Sequence, residues 1–73
     1  MLPAIELEIL ETLNDENKPM RAKEIAALID STYQMVGRRK GKLAETGLVS
    51  KERLDGATHS SITEKSENMY FKE

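Results

Sequence analysis

The chain has 73 residues, no cysteine and a formal net charge of −2. This length suits one domain over residues 1–73 with a thin core, and the missing thiols exclude a disulfide frame and a thiolate metal site. With 38% hydrophobic and 33% charged residues the chain is not poor enough in aliphatics to be disordered. No apolar run reaches membrane-spanning length, so a cytoplasmic location is expected.

Pro3 suits the first turn of a helix, and Leu2, Ile5, Ile9 and Leu13 recur on one face. A helix is expected over about 3 to 14, stopping in the polar run from Asn14 to Asn17. Leu7 and Leu10 fall off its main stripe, where they are free to seat a second subunit, and the acids of residues 6 to 16 are expected on solvated surface. Pro19-Met20 reads as extended. A short helix over about 22 to 29 is expected to bury Ile25, Ala26, Leu28 and Ile29. Asp30, Ser31 and Thr32 are turn and cap residues; Ser31 with Gln34 fits a capping box and Thr32 is an equally good cap. The next helix runs over about 33 to 45, and Gly47 ends it. Leu48 to Arg53 and Thr58 to Ile62 read as strands around an Asp55-Gly56 turn. Thr63 then caps a short last helix whose Met69 or Tyr70 returns to the core. The fold class is thus mostly α with a small β-hairpin.

Charge is segregated along this order. Residues 1–17 carry five acids and no Lys or Arg, residues 18–53 are net +5, and residues 54–73 are net −2. Four cations, Arg38, Arg39, Lys40 and Lys42, crowd the third helix around Gly37 and Gly41. With Val36 and Leu43 inward, Gln34, Arg38, Gly41, Lys42 and Glu45 face outward.

Glu24-Ile25-Ala26, Leu28-Ile29, Thr32, Val36, Leu43 and Gly47-Leu48-Val49 resemble the core pattern of winged helix-turn-helix transcription regulators of the MarR type and related small prokaryotic groups. Ile62-Thr63-Glu64-Lys65 resembles the segment that closes their wing. The resemblance implies a helix-turn-helix with its second helix in the DNA major groove and the wing, about 49–62, on the backbone or minor groove. Two positions depart from the pattern. Asp30 stands where glycine is frequent, and Lys40 where an aliphatic residue faces the core; either Lys40 snorkels or the helix register is off by one.

The residue types on the third helix suit DNA. Gln34 can read adenine, or serve the capping box; Arg38 can read guanine; Lys42 suits a phosphate. Ser31, Thr32 and Tyr33 can meet a phosphate at the helix start, and Tyr33 can equally lie on the neighbouring helix. Lys51 and Arg53 on the wing, with His59 a weaker addition, supply backbone contacts. His59 alone reads first as a surface loop residue. Gly37 and Gly41 each weaken a helix by ~1 kcal/mol against Ala. They either let another backbone come close or relieve crowding inside the domain. The alternative to a DNA-contacting basic face is a plain solvated one.

No phosphate-cradling loop, metal-spaced cluster or nucleophile with a base is present in the sequence. No catalytic residue, metal or cofactor is expected. The leading expectation is a sequence-specific double-stranded DNA-binding regulator, with Ser31, Thr32, Tyr33, Gln34, Gly37, Arg38, Gly41, Lys42, Lys51 and Arg53 at the interface. A homodimer through the first and last helices, including Leu7, Leu10, Tyr70 and Phe71, is expected with it. The alternative is a winged-helix protein-interaction module whose acidic first helix docks a basic partner. RNA binding ranks third, because few aromatics are available for stacking.

Overall fold

A computed structural model describes residues 2–72. The elements in chain order are α1 (Ala4–Glu16), α2 (Ala22–Ile29), α3 (Tyr33–Glu45), β1 (Val49–Leu54), β2 (Ala57–Ile62) and α4 (Glu64–Ser66), which runs directly into a π-helical turn, Glu67–Phe71. This is the winged-helix architecture: a helix pair, α2 and α3, followed by an antiparallel hairpin.

Local chemistry sets the boundaries. The Pro3 carbonyl accepts from the N–H groups of Glu6 and Leu7, both at 3.1 Å, and so opens α1. The helix runs through the polar residues to Glu16 and closes at Asn17, whose φ of 51° is left-handed. At the start of α2 the Arg21 N–H donates to Glu24 Oε1 at 2.8 Å. This bond is the main reason the Glu24 carboxyl lies below its ordinary range, with burial opposing it and nearby Arg21, Lys18 and His59 assisting. Asp30, at φ 54°, takes the left-handed conformation that glycine takes most easily, one that Asp tolerates better than most side chains. Thr32, rather than Ser31, caps α3: its hydroxyl accepts from the Met35 N–H at 3.2 Å. Gly47, at φ 78°, turns the chain out of α3, and the Leu48 N–H donates back to the Leu43 carbonyl at 2.9 Å.

In the hairpin, Val49 pairs with Ile62, Lys51 with Ser60 and Arg53 with Thr58. Asp55 and Gly56 both have positive φ, as a tight two-residue hairpin turn requires. Met20 forms a one-residue bridge on the other edge of β2, exchanging hydrogen bonds of 2.9 and 2.8 Å with Ser60. The extended Pro19-Met20 segment is thereby tied to the wing.

The core comprises Ile9, Leu10 and Leu13 of α1, Met20, Ile25 and Ala26, Val36 and Leu43 of α3, and Leu48 and Val49. Four expectations need correction. Leu10 is fully buried and so is not available to a second subunit; α1 is covered by α2, α3 and β2 together, which demands a wider apolar arc than one stripe. Leu28 is 58% exposed, because Ile25, Ala26 and the half-buried Ile29 fill the inward arc of the short α2. Met69 and Tyr70 are exposed, and Phe71 packs on the core instead. The π-turn accounts for this, since its wider winding changes which residue comes round to the core. Finally, Glu6 is buried rather than solvated.

Candidate nucleic-acid interface

Helix α3 sorts its four cations into two pairs. Val36, Lys40 and Leu43 are its buried residues, so the expected helix register holds and Lys40 occupies a core-facing position. Arg39 is half-buried, and its Nη1 donates to Glu6 Oε2 at 3.3 Å. The partners are 33 residues apart in sequence, and the bond fastens α3 to α1. Arg38 and Lys42 are exposed and make no ion pair among the described residues. Gln34 is exposed one turn before Arg38, so the three form an i, i+4, i+8 line along the outer side. Gln34 is not drawn into a capping box, since Thr32 is the cap.

The remaining expected site residues lie around this line. Ser31 is half-buried and its N–H donates to the Ala26 carbonyl at 3.1 Å. Thr32 is exposed, and Tyr33 is 53% exposed at the first position of α3. Gly37 is exposed and Gly41 half-buried. A Cβ built on either meets no atom within 4 Å. Crowding inside the protein is therefore not the reason for these glycines among the described residues.

The hairpin divides its polar residues by strand alternation. Lys51 and Arg53 share one face with Val49 and the buried Ser60, while Glu52 and His59 form a cross-strand pair on the other. Burial holds the Lys40 ammonium below the ordinary lysine range, and the charge of Lys51 adds to this. Arg53 is exposed, and its Nη2 donates to the Gly56 carbonyl at 2.7 Å, which braces the wing tip. His59 is strand-borne and half-buried, with Nδ1 3.0 Å from the Ala57 carbonyl oxygen. It stands beside Arg21 and Glu24 of the α2 start. It is therefore neither a loop residue nor on the Lys51 face, and its grouping with Lys51 and Arg53 is corrected.

Sequence periodicity missed the Glu6–Arg39 pair. Its only signal was that Arg39 lies off the outward line of Gln34, Arg38 and Lys42 and so needed a partner within the protein. No group of three or more potential metal ligands occurs among the described residues, and no described helix is long and apolar enough to cross a membrane.

Several known structures share this arrangement. A protein from the thermoacidophilic archaeon Sulfolobus tokodaii superposes with a TM-score of 0.80 at 21% identity, covering 92% of this chain and 67% of that one. A MarR family protein from Bacillus stearothermophilus gives 0.83 at 16% identity, over 93% of this chain and 48% of that one. A MarR-like transcriptional regulator from Thermotoga maritima gives 0.77 at 24% identity, over 94% and 50%. The chain thus spans about half the length of the two MarR-type structures. A search of curated proteins returned no match. Residues 2–66 match the family model described as a winged helix DNA-binding domain, and this chain belongs to that family.

Proposed function

We propose that the chain is a cytoplasmic, sequence-specific double-stranded DNA-binding transcription regulator built as a single winged-helix domain. Helix α3 enters the major groove, where Gln34 and Arg38 meet base edges and Lys42 a phosphate. The start of α3, at Ser31, Thr32 and Tyr33, lies on the backbone, as do Lys51 and Arg53 of the wing. Gly37 and Gly41 keep the helix surface low where the duplex approaches.

The observation that carries this reading is the sorting of charge on α3: Arg38 and Lys42 stand exposed and unpaired among the described residues, while Arg39 is drawn to Glu6. One such domain covers a half-site, so a homodimer on a pseudo-palindrome follows, its α3 helices about 34 Å apart. With Leu10 in the core, the surface left for dimerisation is Leu7, Met69 and Tyr70, beside Phe71. The MarR-type names of two structural neighbours agree with a regulatory role.

Titration of random duplex at several salt concentrations tests the reading. Binding is expected to fall steeply with salt, because neutralised phosphates release counterions. Salt-independent binding, or none at low salt, refutes it. Arg38→Ala should relax base preference, and Arg53→Ala should weaken all sequences alike.

A second reading draws on a different surface. Glu8, Glu11, Asp15 and Asp30 line a groove between α1 and the end of α2, and the exposed Leu28 stands among them. A basic protein segment with one apolar anchor fits that groove. Recovery of a stoichiometric basic partner by a sample that ignores duplex would favour this reading over DNA binding.

A further inference from the structure

Two surfaces of opposite charge lie on different sides of this molecule. Along α1, Glu8, Glu11 and Asp15 recur at i, i+3 and i+7 and so share one stripe. With Asp30 at the end of α2 they edge a groove of about 410 Å³, which also carries the half-buried Ile29 and the exposed Leu28. All four carboxylates are exposed, and none has an ion pair among the described residues. No Lys or Arg lines the groove. On α3, Arg38 and Lys42 stand exposed and unpaired one turn apart, and the exposed Met35 flanks them.

Each surface has what the other lacks. Side chains one helical turn apart are neighbours, with Cβ atoms about 5–6 Å from each other, so the Arg38–Lys42 spacing matches that of the carboxylates along α1. Leu28 and Met35 give each side one exposed apolar side chain beside its charges. The two surfaces cannot meet within one molecule. Helix α3 packs on α1 and α2 through its buried side, at Val36 and Leu43, so its outer line points away from both. A second copy supplies the match. The formal net charge of −2 offers little overall repulsion between copies, while residues 1–17 at −5 and residues 18–53 at +5 divide the charge of each copy into opposed halves.

We propose that the groove between α1 and α2 docks the outer side of α3 from a second copy of this chain, with Arg38 and Lys42 set against Glu8, Glu11 and Asp15, and Met35 against Leu28. The docking takes its groove from the second reading above and names the occupant; its antagonism with duplex rests on the DNA-binding reading. The contact is head-to-tail, because the two surfaces differ, so each docked copy leaves a further groove and a further α3 free. Exposed charges dominate it, and salt therefore weakens it. A docked α3 is hidden from duplex, so self-association and DNA exclude one another.

Sedimentation equilibrium at low and high sodium chloride tests the docking on four samples: wild type, Glu11→Lys, Arg38→Glu, and an equimolar mixture of the two variants. A two-fold dimer through the terminal helices involves neither position, so the high-salt mass is the baseline. Wild type is expected to exceed that mass at low salt and to lose the excess as salt rises. Each variant alone should lose most of the excess, since each sets like charges together at the contact. The mixture should regain it, because the intact α3 of Glu11→Lys meets the intact groove of Arg38→Glu. No excess in wild type, an excess that survives either reversal, or a mixture that stays at the baseline overturns the proposal. If wild type stays at the baseline while an oligolysine peptide carrying one leucine binds it and not Glu11→Lys, the groove takes a foreign basic segment, and self-docking is overturned. Duplex added at low salt separates the two readings, since it should dissolve the wild-type excess as it binds. Bound duplex that leaves the excess in place overturns α3 as the docked segment. An excess that obeys both reversals in a chain that binds no duplex keeps the docking and removes the DNA-binding reading.

Discussion

Arg38 and Arg39 are adjacent and chemically identical, yet they belong to different parts of the molecule. On the outer side of α3, Gln34, Arg38 and Lys42 stand in solvent. On the inner side, Arg39 is held by Glu6, and Lys40 lies buried between Val36 and Leu43. Composition alone would count four equivalent cations on this helix. A helix turns about 100° per residue, so neighbouring residues of one type are separated into scaffold and surface. Inner-side changes should therefore act on stability, and outer-side changes on what the surface meets.

The sharpest way to break this contrast is Leu43→Ala. Leu43 is 1% exposed, and its truncation should cost about 3 kcal/mol in chemical denaturation, against less than about 0.5 kcal/mol for Arg38→Ala. Comparable losses in the two variants would refute the assignment of sides. Arg39→Ala comes next. It strands the buried Glu6 carboxylate, and a loss of about 2 kcal/mol is expected, below the fully buried case because the Arg39 side chain is 30% exposed. Glu6→Gln should restore part of that loss in the double variant, and strict additivity of the two changes would argue against the pair. The smallest effect has the opposite sign. Gly37→Ala and Gly41→Ala meet empty space, so each should stabilise the protein by up to about 1 kcal/mol. Each should also weaken duplex binding if α3 approaches DNA closely, and thermal melts paired with duplex titration separate the two effects.

Most of this scaffold was legible in the sequence. The bounds of α2 and α3, the Asp55-Gly56 turn and the Gly47 stop all depend on residues within a few positions of one another, where propensity and capping act, while the choice between Ser31 and Thr32 as the α3 cap was open until the structure showed the Thr32 bond. The misreadings depend on distant partners or on unusual backbone. Leu10 looks peripheral until α2, α3 and β2 enclose α1 from several directions. Glu6 looks solvated until Arg39 arrives from α3. Phe71 replaces Met69 and Tyr70 as the packed residue through a π-turn, which hydrophobic periodicity assumes away. For the candidate site, periodicity identified the outer line on α3. Strand pairing was needed to separate Lys51 and Arg53 from His59, because a one-residue change of register exchanges the faces of a strand.

The chain's last turns are fastened to the end of α3. Thr63 Oγ1 donates to the Gly47 carbonyl at 2.8 Å, and Lys65 Nζ to the Thr46 carbonyl at 2.6 Å. The ammonium also sits at the negative end of the α3 dipole. The start of the last helix therefore cannot draw away from the end of α3 without giving up both bonds, and the two carbonyls that α3 leaves open at its exit are satisfied from a segment sixteen or more residues further along the chain.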